Sequence, residues 1–221
     1  MTIGGRPLVL LDLDGTLCDS APGIIASVQT ALAAAGMPVP DADYMRSFVG
    51  PPLTEVFDAY GVPADRIPAI IAAYRVEFEA TGMWQSPPFP GIAEQLMLLR
   101  QAGCTLALAT SKPERYAQPI CERWGLDAHL DGIYGALADD RSSAKANVIA
   151  RALQQLGERA GSRRVMVGDR RHDVEGAAAH GIACLGVDWG YADPDELAGA
   201  VAVVPRVDQL ADAVLDQLQL T

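Results

Sequence analysis

The chain has 221 residues, 50 % of them hydrophobic and 20 % charged, which is ample for a full apolar core and too apolar for a disordered chain. A formal charge of -11 argues against nucleic acid or an anionic membrane as the main partner, yet a bound divalent cation would still admit an anionic substrate. Cys18, Cys104, Cys121 and Cys184 lack any C-x-x-C spacing, so neither a zinc site nor a disulfide framework is expected. With no secretory h-region and no apolar run of membrane-spanning length, the expectation is a soluble cytoplasmic protein.

The first element is the continuous aliphatic run Leu8-Val-Leu-Leu11, continued by Leu13. Such a run fits a strand covered on both faces, so Asp12 and Asp14 mark the point where the chain leaves the core. A buried, unpaired carboxylate costs several kcal/mol, roughly, so something positive is implied nearby. Gly15 and Thr16 then permit a sharp turn, and this order of residues suits phosphoryl chemistry.

Pro22 to Ala35 is an alanine-rich helical pattern stopped by Gly36, and Met37 to Pro40 is a break. Asp41 or Asp43 is placed to cap a short helix, Leu53 to Tyr60 forms another, and Asp65 to Ala80 carries Ile67, Ile70, Ile71, Tyr74 and Phe78 at helical spacing. Nothing between Pro22 and Gly82 alternates with period two. The segment is therefore a helical insertion, with Gln85 to Pro90 as the second of two hinges. The expected division is a core of 1–18 and 87–221 around a cap of 19–86.

Beyond Pro90 the chain alternates helix and short strand. Helices are expected over Gly91 to Ala102, Pro113 to Trp124, Ala144 to Leu156, Asp173 to His180 and Val207 to Leu220. Strands are expected over Cys104 to Ala109, Gly132 to Leu137, Val165 to Val167, Ile182 to Val187 and Val201 to Val204. This α/β order implies a Rossmann-like, doubly wound parallel sheet whose ligands sit at the carboxyl ends of its strands.

Two more strand ends are polar in the same way as the first. Leu106-Ala-Leu-Ala-Thr110-Ser111-Lys112-Pro113 ends in hydroxyls at an expected helix start, where free N–H groups favour an oxyanion. Val165-Met-Val-Gly168-Asp169-Arg-Arg-His172-Asp173 ends in a glycine and two carboxylates. Between them, after the polar loop of residues 139–143, stands Lys145. Taken singly each has a plain reading: Asp14-Gly15 as a turn, Thr110 and Ser111 as helix caps, Lys145 as a solvated cation, Asp169 and Asp173 as cap and first-turn carboxylates. Taken together, on converging strand ends, they read as one site.

In order and spacing, D-x-D-G-T, the apolar run ending in threonine, the lysine and G-D-x-x-x-D make this chain resemble the haloacid-dehalogenase superfamily of phosphohydrolases. The branch it resembles is that of phosphoglycolate-phosphatase-like enzymes with a small helical cap. The resemblance implies that Asp12 is the nucleophile forming an aspartyl phosphate and that Asp14 protonates the leaving oxygen, then deprotonates water. It further implies that Thr110, Ser111 and the Gly15 turn hold phosphoryl oxygens and that Lys145 neutralises the nucleophile. Mg2+ would be bound by Asp12, Asp169 and the main-chain carbonyl of Asp14, with Asp173 holding metal-bound water or orienting Lys145. Lys112 is a candidate substrate contact, His172 a structural neighbour, and Arg46 and Gly50 of the cap loop Arg46-Ser-Phe-Val-Gly50-Pro51-Pro52 are candidate substrate readers.

Independent of resemblance, a carboxylate approaches a phosphate dianion only after charge is cancelled, and oxygen-only ligands suit a hard cation. The implied activity is Mg2+-dependent hydrolysis of a small phosphorylated metabolite. Phosphoglycolate is the first substrate, and a nucleoside 5'-monophosphate is close behind because the run Asp140 to Lys145 with Gly168 to Asp173 resembles nucleotidases. A phosphosugar mutase and a non-catalytic phosphate-binding protein are weaker alternatives, a dehalogenase weaker still. Monomer and homodimer both stay open.

Overall fold

The computed structural model describes residues 5–137, 144–193 and 195–220. Its centre is β1 (Leu8–Leu11), every residue of which is buried. Val9 and Leu11 enter one apolar cluster and Leu8 and Leu10 another, so the aliphatic run has no polar side because neither face meets water. Flanking β1 are β2 (Thr105–Pro113), β3 (Gly132–Ala136), β4 (Arg164–Gly168), β5 (Ala183–Val187) and β6 (Ala202–Val204). All pair in parallel, in the spatial order β3-β2-β1-β4-β5-β6. The strand order reverses between β1 and β4, the place where open α/β sheets bind ligands.

Helices α1 (Ala21–Ala34), α2 (Ala42–Met45), α3 (Leu53–Ala59) and α4 (Ile67–Ala80) form the insertion after β1. The five apolar residues at helical spacing in α4 are all buried, and Asp41 caps α2 by accepting from the Tyr44 N–H at 2.9 Å. The two chain links to the core pair with each other: Asp19 N–H donates to Pro87 O at 2.8 Å and Phe89 N–H to Leu17 O at 3.0 Å. Helices α5 (Ile92–Gln101), α6 (Glu114–Arg123), α7 (Lys145–Leu156), α8 (Arg171–Ala178) and α9 (Leu210–Gln217) cover the sheet. Among the described residues, no helix is long and apolar enough to cross a membrane.

Two boundaries differ from expectation. Strand β2 runs on through Thr110, Ser111 and Lys112, because it re-pairs with β3 (Pro113 opposite Ala136) after an irregularity beyond Ala109. The hydroxyls therefore lie on a strand end and not at a helix start. The last helix begins only at Leu210, after a 3-10 turn over Val207–Gln209, where the buried Gln95 side chain of α5 accepts from the Ala211 N–H at 2.9 Å. That bond satisfies a first-turn donor and fixes where the α-helix starts.

Helix α1 seats directly against the backbone turn Gly82–Trp84. A Cβ added at Gly23 would lie 1.9 Å from Gly82 O. Gly23→Ala is therefore expected to destabilise the fold by about 1–3 kcal/mol, the range for overpacking. Urea unfolding would read this as a lower midpoint at unchanged slope, and an unchanged midpoint would contradict the close approach.

Candidate active site

Four strand and helix ends meet beyond the carboxyl edge of the sheet. Asp12 follows β1, Asp169 follows β4, and Asp173 sits in the first turn of α8. All three are buried, and one carboxylate oxygen of each lies within 4.8 Å of the others. Lys145, the first residue of α7, enters among them: its Nζ lies 2.8 Å from Asp12 Oδ1 and 2.7 Å from Asp173 Oδ1, and donates to Ala109 O at 3.0 Å. At these distances the ammonium is paired with both carboxylates at once.

Glycines make room for this density of charge. Gly15 has φ +80°, and a Cβ there would lie 2.2 Å from Asp169 Oδ2. At Gly168 a Cβ would lie 2.2 Å from Asp173 Oδ2. Thr16 Oγ1 donates to Asp169 Oδ1 at 3.1 Å, and the Tyr191 N–H donates to Asp169 Oδ2 at 2.8 Å. Asp173 does stand in the first turn of α8, as one plain reading had it, but buried and not exposed: one oxygen accepts from the Arg170 N–H at 3.0 Å and the other faces Lys145.

The remaining expected residues fall into place around this group, with one exception. Asp14 is half-buried, and both of its oxygens contact Lys112 Nζ, at 2.9 and 3.0 Å. Thr110 is buried, with its Oγ1 accepting from the Lys112 N–H at 3.2 Å. Asp12, Asp14, Gly50, Thr110, Ser111, Lys112, Lys145, Arg170, His172 and Asp173 line one small polar pocket. Arg46 is exposed on a 3-10 turn and lines neither this pocket nor its neighbour, because the turn directs Phe48 and Val49 inward instead. The nucleotidase-like run over 140–143 lies outside the described residues.

A second cavity of about 550 Å³ opens beside the polar pocket, between the helical insertion and the core. Phe48, Ile71, Tyr74 and Phe78 line it from the insertion, and Tyr116, Arg115 and Leu137 from the core. Asp14, Gly50, Ser111 and Lys112 line both spaces. The aromatic residues were legible as helix periodicity but not as a cavity wall. Arg170 and Tyr191 were missed altogether; Arg170 is buried, donates to Val49 O of the insertion at 2.7 Å, and lies 3.0 Å from Glu196 Oε2.

Electrostatics define what the acidic group lacks. Burial, then the neighbouring Asp173 and Asp12, push the Asp169 carboxyl up to about 8. Burial likewise pushes Asp173 up to about 6 against the pull of Lys145. Lys145 is pushed down by burial, but Asp12 and Asp173 outweigh that and hold its ammonium above the usual lysine range. With all three carboxylates ionised, one ammonium would leave two negative charges unbalanced among buried oxygen donors, and the raised carboxyls reflect that cost. Asp12, Asp169 and Asp173 therefore fit a hard divalent cation. The buried cysteines offer no competing nucleophile: burial pushes the Cys121 thiol up to about 12 and raises Cys18 further still.

Because the folded carboxyls titrate above their unfolded value of 3.8, the folded state binds more protons than the unfolded state between that value and about 8. Without a divalent cation, stability is expected to fall as pH rises from about 4 through 8. A cation that replaces those protons should flatten the decline. Thermal midpoints measured in chelator and in Mg2+ across this range test both statements, and equal slopes would contradict the cation fit.

Residues 9–187 match the haloacid dehalogenase-like hydrolase family. The tyrosine-protein kinase PtkA of Mycobacterium tuberculosis is 43 % identical over 211 residues, covering 94 % of this chain and 72 % of that protein. A 5'-nucleotidase of Pseudomonas aeruginosa is 41 % identical over 192 residues, covering 86 % of each. A solved structure of a predicted phosphatase from Clostridium acetobutylicum superposes with a TM-score of 0.89 at 36 % identity, covering 96 % of this chain and 99 % of that one. The chain belongs to the haloacid dehalogenase-like hydrolases, as a phosphoric monoester hydrolase with an α/β Rossmann-like core and an inserted helical cap.

Proposed function

We propose that the protein is a Mg2+-dependent phosphatase working through an aspartyl phosphate on Asp12, and that its substrate is a nucleoside 5'-monophosphate. The observation that carries the reading is the position of Asp14, on the boundary shared by the polar pocket and the 550 Å³ cavity. A monoester placed with its phosphoryl group over Asp12 has its bridging oxygen at that boundary and its leaving group in the cavity.

Asp12 attacks phosphorus while Asp14 protonates the leaving oxygen; Asp14 then takes a proton from the water that cleaves the acyl phosphate. Thr110 and Ser111 hold phosphoryl oxygens, and Lys145 keeps Asp12 ionised and oriented. Asp12 and Asp169, with Asp173 in reach, would hold the cation, which when bound would supply the positive charge that two approaching anions need. The insertion, taken as residues 19–86 on a core of 1–18 and 87–221, closes over the site and excludes water.

The cavity favours a large planar leaving group. Four aromatic side chains line it, and a nucleobase stacks on such surfaces. Glycolate is small and anionic and would leave most of this volume unfilled, which supports placing the nucleotide ahead of phosphoglycolate in our reading, the reverse of the order expected from sequence. Arg75 and Arg115 at the cavity wall are what phosphoglycolate would use, and they keep it as the second reading. With buried free thiols and no spanning helix among the described residues, we place the enzyme in the cytoplasm.

Asp12→Asn is expected to abolish Mg2+-dependent phosphate release, and Asp14→Asn to slow it by about 10²–10⁴-fold, the range for a positioned acid. Full activity in either variant would contradict the assignment. In a substrate panel ranked by kcat/KM, nucleoside 5'-monophosphates should exceed phosphoglycolate by about tenfold or more, the discrimination that one well-filled pocket supplies. The opposite ranking would overturn the substrate while leaving the chemistry intact.

A further inference from the structure

We propose that Lys112 is the positioning residue for Asp14, and that Phe78 of the cap holds Lys112 in place to do this. The proposal rests on the reading of Asp14 as proton donor to the leaving group and adds the device that aims it.

Lys112 is only 8 % exposed, and a buried ammonium requires partners. Its Nζ contacts both oxygens of Asp14 and lies 4.8 Å from the centre of the Phe78 ring. Two-point contact with one carboxylate fixes the plane of that group as well as its distance. The base of the lysine is pinned too, since its own N–H donates to Thr110 Oγ1 in the phosphoryl pocket.

Phe78 cannot swing freely beneath the ammonium. It stacks on Tyr74 at 5.4 Å between ring centres and meets Tyr116 of the core edge-on at 5.4 Å. A continuous chain of contacts therefore runs from an aromatic wall of the leaving-group cavity, through one ammonium, to the carboxyl group at the cavity's boundary. Lys145 acts elsewhere in the site, since its described partners are Asp12, Asp173 and Ala109 O, and none of its described contacts is with Asp14.

The chemical consequence is specific. For this step Asp14 takes up a proton from solvent on one oxygen while the other keeps the Lys112 ammonium; as the Asp12–phosphorus bond forms and the phosphorus–oxygen bond breaks, that proton passes to the departing oxygen, which leaves as a neutral alcohol. A nitrophenolate departs without that proton; an alkoxide does not. Misaiming Asp14 must therefore penalise alkyl esters far more than aryl esters. A lysine that served only as positive charge near the phosphoryl group would affect both alike.

The test is kcat/KM in Mg2+ over a series of monoesters from p-nitrophenyl through phenyl to alkyl phosphates, for wild type, Lys112→Met, Lys112→Arg and Phe78→Leu. Lys112→Met is expected to lose roughly 10–100-fold more on the alkyl end than on p-nitrophenyl phosphate, part of the full effect of a positioned acid. Lys112→Arg should recover part of the difference, and Phe78→Leu should show a smaller loss with the same trend. Equal losses across the series would overturn the proposal while leaving the phosphatase reading standing. If Lys112→Met does not fold, Phe78→Leu decides alone, and a loss without leaving-group dependence overturns the proposal. A wild-type protein inert on every ester would overturn the phosphatase reading and this proposal with it.

Discussion

One ammonium between two buried carboxylates ties the active site to the fold. Lys145 draws α7 toward β1 through Asp12 and toward α8 through Asp173. The approach is close enough that a Cβ on Gly176 of α8 would lie 2.6 Å from Lys145 Cγ. Asp173 uses its second oxygen to cap its own helix, so the same side chain orients α8 and the lysine. Buried ion pairs are poor sources of net stability, because desolvation offsets much of the attraction. What the arrangement secures is a preorganised, desolvated group of carboxylates around one ammonium, the pattern that the proposed cation and phosphoryl group would require.

The loop after β5 links this charge cluster to the cap. Tyr191 donates its N–H to Asp169, gives its carbonyl to Arg170 at 3.3 Å, and donates its hydroxyl to Asp19 at 2.6 Å while accepting from the Ala21 N–H at 3.0 Å. Asp19 and Ala21 stand at the first cap hinge, where Asp19 also bonds to the second hinge at Pro87. Arg170 in turn reaches Val49 O of the cap loop. The residues that address the buried Asp169 carboxylate and those at the entry of the helical insertion are therefore successive links of one hydrogen-bonded path, and Trp189 adds a bond from its Nε1 to Thr16 O beside it.

Residues whose identity is dictated by chemistry were legible in the sequence. Asp12, Asp169, Asp173 and Lys145 could be placed because a strand ending in carboxylates beside glycine is costly without a cationic partner, and the structure brings all four together. The helix periodicity of α4 was equally plain, since a buried face must repeat with the helix. Contacts made across elements left no such trace. The overrun of β2 depends on its pairing with β3, the start of α9 on a glutamine from α5, and the inward side of the cap loop on packing that turns Phe48 in and Arg46 out. Arg170 occupies a variable position within G-D-x-x-x-D, and only its burial reveals that it reaches the cap.

The same distinction explains why chemistry and substrate separate in this architecture. The residues assigned to phosphorus in the proposed reading come from strand ends and the start of α7, held by charge and by close glycine packing. The groups that line the larger cavity come from the aromatic sides of α4 and the residues around it, held by ring contacts. Asp14, Gly50, Ser111 and Lys112 are shared, and of these Asp14 and Lys112 carry the charge at the boundary. A change in the cap can thus reshape the cavity without touching Asp12 or Lys145, but it cannot displace Phe78 without disturbing the ammonium that contacts the acid. On the proposed reading, leaving-group selection and proton delivery would meet at that one contact, because Lys112 touches both the Phe78 ring and Asp14.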